Sequence, residues 1–275
     1  MKSEIEPMID RRELLAAEKL LERIVPKAGD ILRKHYQERN FSVRQKEGVD
    51  FTTQADVETD TFLTNEIAKI FPKHKFLTEE TAKNEDWTEF KDAENLWIID
   101  PLDGTINFSR GEPNFAISVA LVTRGKTLVG VAYNPISDDY YAASELREGV
   151  YKNGERIFVS KTEELREVTL ACDWAWGLEK RLNVVEWLRK VSTHIRQVKS
   201  MGSAVVDLAK VAEGKVDVYL HSGLKSWDVA ASAYFVQKAG GKVTLPNGED
   251  WNVFEQDIFA SNRILHKTIG DLINS

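Results

Sequence analysis

In the stretch LWIIDPLDGTINF, Leu96 to Phe108, two carboxylates stand three residues apart directly after four apolar residues. Asp100 and Asp103 beside a hydrophobic core are costly unless something compensates them. Pro101 fixes its own φ and pushes Asp100 towards an extended conformation. The chain therefore leaves the strand abruptly, and both acids can converge on one point. Gly104-Thr105 follow and can open a helix or turn, where backbone N–H groups suit an anion such as phosphate. The segment offers oxygen ligands for a hard cation next to a phosphate cradle. The plainer reading makes Asp100 a strand-end cap and Asp103 the N-cap of the next turn.

Three further segments carry acids in comparable settings. Thr78-Glu79-Glu80-Thr81 closes the short apolar pair Phe76-Leu77. Val49-Asp50-Phe51-Thr52-Thr53-Gln54-Ala55-Asp56 is polar and short-chained, which suits a loop and a helix N-cap. Ser226-Trp227-Asp228-Val229-Ala230-Ala231 puts an acid at the start of an apolar helix. Alone, each has an ordinary explanation: a solvated loop, a cap, a charge complementing the helix dipole. Acids gathered at one point repel strongly unless a cation is present.

The elements that must position these acids are legible from apolar periodicity. Leu14 to about Tyr36 reads as a helix that Pro26 kinks or splits, and Val57 to Phe71 as a second, ended by Pro72. Lys75–Leu77, Leu96–Ile99, Phe115–Val122, Leu128–Asn134 and Asp139–Ala143 read as strands joined by turn signals, hence an antiparallel meander. Asn153-Gly154 has the chemistry of a tight hairpin turn. After about residue 160 helices (Val184–Val191, Gly202–Glu213, Asp228–Lys238) alternate with strands (Val216–Leu220, Val243–Leu245, Ile258–Ala260). Helices and sheets in layers, α+β passing into α/β, are the expected architecture. The subdomains would run from 1 to about 160 and from 161 to 275, within a single catalytic domain.

The bulk numbers exclude several classes. A chain of 275 residues with 42% apolar and 29% charged residues is an ordinary globular protein. A net charge of −7 argues against a dedicated nucleic-acid binder. Cys172 is the lone cysteine, so no intrachain disulfide forms and the cytoplasm is the default compartment. The N-terminus is too charged for a signal peptide, and the apolar run Phe115 to Val122 is too short to span a bilayer.

Taken together, the Asp50–Asp56 segment, Glu79-Glu80, WIIDPLDGTINF, NPISDDYYAASELREGVYKNGERI, MGSAVVDLAKVAEGKVDVYL and WDVAASAYFVQKAGG resemble the inositol monophosphatase family of magnesium-dependent, lithium-sensitive phosphatases. They occur in the family's order, from roughly residue 45 to 260. The resemblance implies an αβαβα five-layer sandwich of the sugar phosphatase type, with an antiparallel N-terminal sheet and a mixed C-terminal one. Glu79, Asp100 and the Leu102 carbonyl would hold one Mg²⁺. Asp100, Asp103 and Asp228 would hold a second, and a third, weaker ion would sit near Glu79. Such oxygen-only sets suit Mg²⁺, and two ions about 4 Å apart clamp the attacking and leaving oxygens of an in-line displacement. Thr105, hydrogen-bonded to Asp50, resembles the family's water-orienting dyad, with Glu79 also at the catalytic centre. The N–H groups of Gly104 and Thr105 would face phosphate, while Asp103, Ser203, Ala204 and residue 221 would face the rest of the substrate.

Two departures stand out. Thr78 replaces a usual glycine before Glu79. His221 stands where inositol-cleaving members carry a glutamate that contacts ring hydroxyls, so either the leaving-group pocket is changed or His221 is an exposed strand-end residue. Lys46 reads as a solvated lysine, or as one near the phosphate. Trp174 and Trp176 are expected to pack rather than line the substrate mouth. The expected activity is hydrolysis of a small polyol or sugar phosphate, with fructose bisphosphate, histidinol phosphate and nucleotide 3′-phosphates as alternatives and a homodimer by analogy. A regulatory role in a transcription complex, shown by some bacterial members, is the alternative of a different class.

Overall fold

Arg11–Glu38 forms one 28-residue helix, α1, capped by Asp10, whose side chain accepts the Arg12 N–H at 3.1 Å. Pro26 neither ends nor divides it. Leu14, Ala17, Leu21 and Ile24 before it and Ala28 and Leu32 after it are buried on one stripe, so packing carries the helix across the missing N–H. The structure is a computed structural model describing residues 9–39, 44–45, 51–82 and 90–275. After α1 come the two-residue strands β1 (Arg44–Gln45) and β2 (Phe51–Thr52), then α2 (Gln54–Ile70).

The next strands are β3 (Lys75–Thr78), β4 (Leu96–Asp103), β5 (Ala116–Thr123), β6 (Lys126–Asn134), β7 (Asp139–Ser144), β8 (Val150–Lys152) and β9 (Glu155–Ile157). They form one seven-stranded sheet in chain order. From β4 to β9 every pairing is antiparallel, the meander expected from turn-joined strands. Asn153 (φ 49°) and Gly154 (φ 85°) make the β8–β9 turn, a conformation that Asn-Gly favours. The exception is β3, which runs parallel to β4, so this sheet is mixed and not wholly antiparallel. Residues 79–95 lie between the two strands and give the chain room for the crossover that parallel pairing demands. The short helix α3 (Thr105–Arg110) follows β4.

The second sheet holds β10 (Thr169–Ala171), β11 (Gln197–Lys199), β12 (Val218–Ser222), β13 (Lys242–Thr244) and β14 (Asp257–Ser261). Its order is β11-β10-β12-β14-β13, parallel around β10 and antiparallel around β14. Helices α4 (Leu178–Val191), α5 (Ala204–Ala212), α6 (Ser226–Lys238) and α7 (His266–Asn274) alternate with these strands.

Three apolar clusters define the layers. One joins α1 and α2 to the outer face of the seven-stranded sheet. The second fills the space between the two sheets around α5 and α6. The third packs α4 and α7 on the far face of the five-stranded sheet. The order is therefore α-β-α-β-α, the five layers expected. Among the described residues no helix is long and apolar enough to cross a membrane.

Candidate active site

The strand β4 does not stop at Ile99 but runs on through Asp103. In a regular strand, residues three apart point to opposite faces. Here Asp100 pairs with Ser118 and Asp103 with Ala116, so three steps on β4 match two on β5. This bulge, with Pro101 inside it, restores Asp103 to the side of Asp100. Asp100 is 1% exposed. One of its carboxylate oxygens accepts the Leu102 N–H at 2.9 Å, and the other is buried without a hydrogen-bond partner.

Two more acids occupy the same place in two different helices. Asp56 is the third residue of α2 and accepts the Thr53 N–H at 2.9 Å. Asp228 is the third residue of α6 and accepts the Lys225 N–H at 2.8 Å. In each case one carboxylate oxygen closes the helix N-terminus. Both acids also belong to acidic clusters. Asp100, Asp103 and Asp228 offer oxygens within 4.8 Å of one another, and Asp56, Glu79 and Glu80 form a second such group. Glu79 follows β3 directly, its N–H bonded to the Ile99 carbonyl at 3.2 Å. Thr78, the departure from glycine, is buried, and its hydroxyl bonds that of Thr81 at 2.8 Å across the turn.

Burial pushes the Asp100 carboxyl well above its ordinary range, reinforced by the charges of Glu79, Asp103 and Asp228. Burial likewise raises Asp103 and Asp56, each to about 6. A cation at this point would relieve that repulsion and satisfy the orphaned Asp100 oxygen. The donors are all oxygens, as hard divalent cations require, so the residues fit such ions.

Thr105 opens α3 after Gly104, whose φ of 92° only glycine adopts readily and whose missing Cβ would lie 2.9 Å from the Asn114 carbonyl. The Thr105 hydroxyl lies 3.3 Å from the Asp56 carboxylate and 3.1 Å from the Leu102 carbonyl. The partner expected from sequence was Asp50. Asp50 lies outside the described residues, as does Lys46, and the acid that meets Thr105 is Asp56. The physical reason is the capping geometry, because an acid at the third helical position turns back over the helix start. Thr53-x-x-Asp56 was the available signal.

Asp103 is held by α5. The Ser203 hydroxyl bonds its carboxylate, and the Val205 N–H does so at 2.7 Å. Ser203 also caps α5 by accepting the Val206 N–H at 3.2 Å. Asp173, not singled out from the sequence, bonds the Ser200 hydroxyl at 2.6 Å and the Gly202 N–H at 3.0 Å, fixing the turn before Ser203. Nothing local marks Asp173, because parallel pairing of β10 and β11 brings it there. Behind it, Asp207 is fully buried, and burial together with the Asp173 charge pushes its carboxyl up to about 10.

Glu79, Asp100, Leu102, Asp103, Gly104, Thr105, Ser203, Ala204, His221 and Asp228 all line one cleft of about 470 Å³. His221 is 4% exposed, not a solvated strand end, and burial lowers its imidazole to about 4, so it is neutral at neutral pH. Trp174 and Trp176 also line this cleft and are 55% and 52% exposed, contrary to the packing expected of them. They follow β10 where the chain leaves the sheet, and only the intervening Ala175 turns inward.

Residues 12–275 match the inositol monophosphatase family. An inositol-1-monophosphatase of Mesorhizobium japonicum is 34% identical over 88% of this chain and 90% of its own length. A fructose-1,6-bisphosphatase/inositol-1-monophosphatase of Thermotoga maritima is 33% identical over 92% of this chain and 93% of its own. The crystal structure of the extragenic suppressor protein suhB from Bartonella henselae superposes with a TM-score of 0.86 at 32% identity, covering 94% of this chain and 99% of that one. With match, fold and acidic cleft in agreement, the chain belongs to the inositol monophosphatase family, a family of phosphoric monoester hydrolases.

Proposed function

We propose that this protein is a Mg²⁺-dependent phosphomonoesterase acting on a small phosphorylated metabolite of the polyol or sugar type. The observation that carries the reading is the convergence of Asp100, Asp103 and Asp228, with Glu79 close enough to raise Asp100, around a buried unpartnered carboxylate oxygen. Glu79, Asp100, the Leu102 carbonyl, Asp103 and Asp228 would hold two ions, and Glu79 with its neighbours a third. Bound divalent cations supply the positive charge that phosphoryl transfer to water needs at its attacking and departing oxygens.

The chain's own groups do the rest. Asp56, with Thr105 donating to it, orients the attacking water and accepts its proton, in place of the expected pair with Asp50. Gly104 and Thr105 face the phosphate. Ser203 and the Val205 N–H hold Asp103 in one orientation, so that its other lone pairs point into the cleft. Ala204 and His221 face the leaving group.

Phosphate release from a panel of polyol, sugar and nucleotide monophosphates, assayed with Mg²⁺ and with or without Li⁺, tests the reading. Turnover that needs Mg²⁺ and falls with micromolar-to-millimolar Li⁺ is expected. No release from any member of the panel would refute it.

A further inference from the structure

A second cavity, of about 280 Å³, lies between α5 and one end of β5, β6 and β7, and it shares no lining residue with the catalytic cleft. The start of α5 divides the two. Ser203 and Ala204 line the cleft, whereas Val205, Val206, Ala209 and Lys210 line the cavity. Ala116, Ala132 and Ile136 extend its apolar wall.

The charged residues of this lining are Asp139 and Lys210. Asp139 is met by the Lys152 ammonium at 3.0 Å. Lys210 is half-buried, and its ammonium makes no hydrogen bond or ion pair among the described residues. The cavity therefore presents one unmet positive charge beside apolar walls. It lacks a cradle for phosphate, because the N–H groups of Ile136 and Ser137 already bond the Asn134 side-chain oxygen at 2.9 and 3.2 Å. A single carboxylate on a compact apolar body matches this lining in charge and polarity, and a dianionic phosphate does not.

Two residues of the cavity wall also hold the catalytic cleft. The Val205 N–H donates to the Asp103 carboxylate at 2.7 Å. The Asn114 side chain donates to the Met201 carbonyl at 3.3 Å, just before the Gly202 turn. The Asn107 side chain bonds both the Asn114 and the Met201 carbonyl at 2.7 Å. That Asn114 carbonyl is also the atom that a Cβ on Gly104 would meet at 2.9 Å. A ligand resting on Val205 and Asn114 thus bears on the orientation of Asp103 and on the turn that opens α3. Ordering these groups in advance lowers the cost of ordering them around a cation.

We propose that this cavity is an effector site for a small organic monocarboxylate, and that its occupation raises Mg²⁺ affinity in the neighbouring cleft. The coupling to Mg²⁺ rests on the phosphatase reading, whereas the binding of the carboxylate does not.

The test titrates the full-length protein with benzoate, and with its neutral isostere benzamide, by ligand-observed NMR in chelator and in saturating Mg²⁺. Benzoate is expected to bind at least about tenfold more tightly than benzamide. Lys210→Gln, a change at a half-buried helix position, is expected to bring benzoate down to the benzamide level. The variant's phosphate release without benzoate should stay within about twofold of the unmodified protein. Mg²⁺ is expected to tighten benzoate about threefold or more, and benzoate to tighten Mg²⁺ by the same factor, since such coupling is reciprocal. No benzoate binding up to about 10 mM would overturn the proposal. So would equal affinity for benzoate and benzamide, unchanged affinity in Lys210→Gln, or the absence of coupling to Mg²⁺. Displacement of benzoate by inorganic phosphate would place it in the catalytic cleft and overturn the proposal too. Loss of benzoate binding as protein concentration rises, with a dimer mass in light scattering, would give the cavity to a second copy of the chain instead. Benzoate binding with reciprocal Mg²⁺ coupling, but without phosphate release from any ester, would sustain the effector site and refute the phosphatase reading alone.

Discussion

The hydroxyl of Thr105, first residue of α3, donates to the carboxylate of Asp56, third residue of α2, at 3.3 Å. The same hydroxyl lies 3.1 Å from the Leu102 carbonyl, so its orientation is fixed from two sides. Thr105→Val should lower kcat by about 10²-fold or more, the range for loss of a positioned proton acceptor's partner, whereas Thr105→Ser should retain most of the rate. Asp56→Asn keeps an oxygen for the Thr53 N–H and should fold, yet fall as far as Thr105→Val. Steady-state phosphate release at saturating Mg²⁺ checks both. A larger loss for Asp50→Asn than for Asp56→Asn would return the role to Asp50.

The repulsion within the acidic cleft has a thermal signature. Mg²⁺ binds the folded chain and should raise Tm, by about 2.7 kcal/mol of stability at a hundredfold excess over Kd. Asp100→Asn removes the most deeply buried charge of the set, which Glu79, Asp103 and Asp228 all oppose. In chelator the variant should melt at or above the unmodified protein, and Mg²⁺ should shift it far less. Scanning calorimetry with and without Mg²⁺ reads both effects, together with near-total loss of activity. An unchanged Mg²⁺ shift would remove Asp100 from the site.

Asp207 sets a pH dependence of its own. Its folded carboxyl is raised to about 10 from an ordinary 3.8, chiefly by burial. A group raised in the folded state contributes fully below its unfolded pKa, and that contribution is lost as pH climbs towards the folded value. Stability attributable to Asp207 should therefore decline steadily above about pH 4. Asp207→Asn keeps the shape of the neutral acid without the proton. Its Tm should match the unmodified protein below about pH 4 and exceed it increasingly from there up to about pH 9. A constant difference across that range would show that Asp207 does not titrate.

The layers were legible because the apolar periods are long in α1, α2, α5 and α6 and the meander strands alternate with clear turns. The three-residue strands β10 and β11 were not, since segments so short carry little period, and neither was α7, which is as long as α5 but has Gly270 in its middle. At the site, Asp100, Asp103, Glu79 and Asp228 could be read because each follows or opens a recognisable element. Asp173 could not, because only tertiary pairing gives it a role. Asp50 lies outside the described residues, and the contact between Thr105 and Asp56 became visible only with the helix start at Gln54, which turns Asp56 back over the N-terminal end of α2. Trp174 and Trp176 were misjudged because composition favours burying indoles, whereas the exit of β10 points them into the cleft.

Gly104 separates backbone strain from crowding at the site. Its φ of 92° is shared by many turns, but its neighbours are not, since a Cβ there would lie 2.9 Å from the Asn114 carbonyl and 3.2 Å from the Gly202 carbonyl. Gly154, at φ 85° in the β8–β9 turn, has nothing within 4 Å of the same position. Gly154→Ala should therefore cost only the left-handed strain, about 1–2 kcal/mol, and leave activity unchanged. Gly104→Ala bears that strain and must also displace backbone. Thr105, adjoining it, moves away from Asp56, and the Gly202 turn that leads to Ser203 is pushed from Asp103. Gly104→Ala should thus melt below Gly154→Ala and lose phosphate release well beyond its loss of folded fraction. Denaturant titration paired with single-turnover phosphate release measures the two separately. If the two variants fell equally in stability and kept equal rates, the close approach at Gly104 would have no part in holding Thr105 against Asp56.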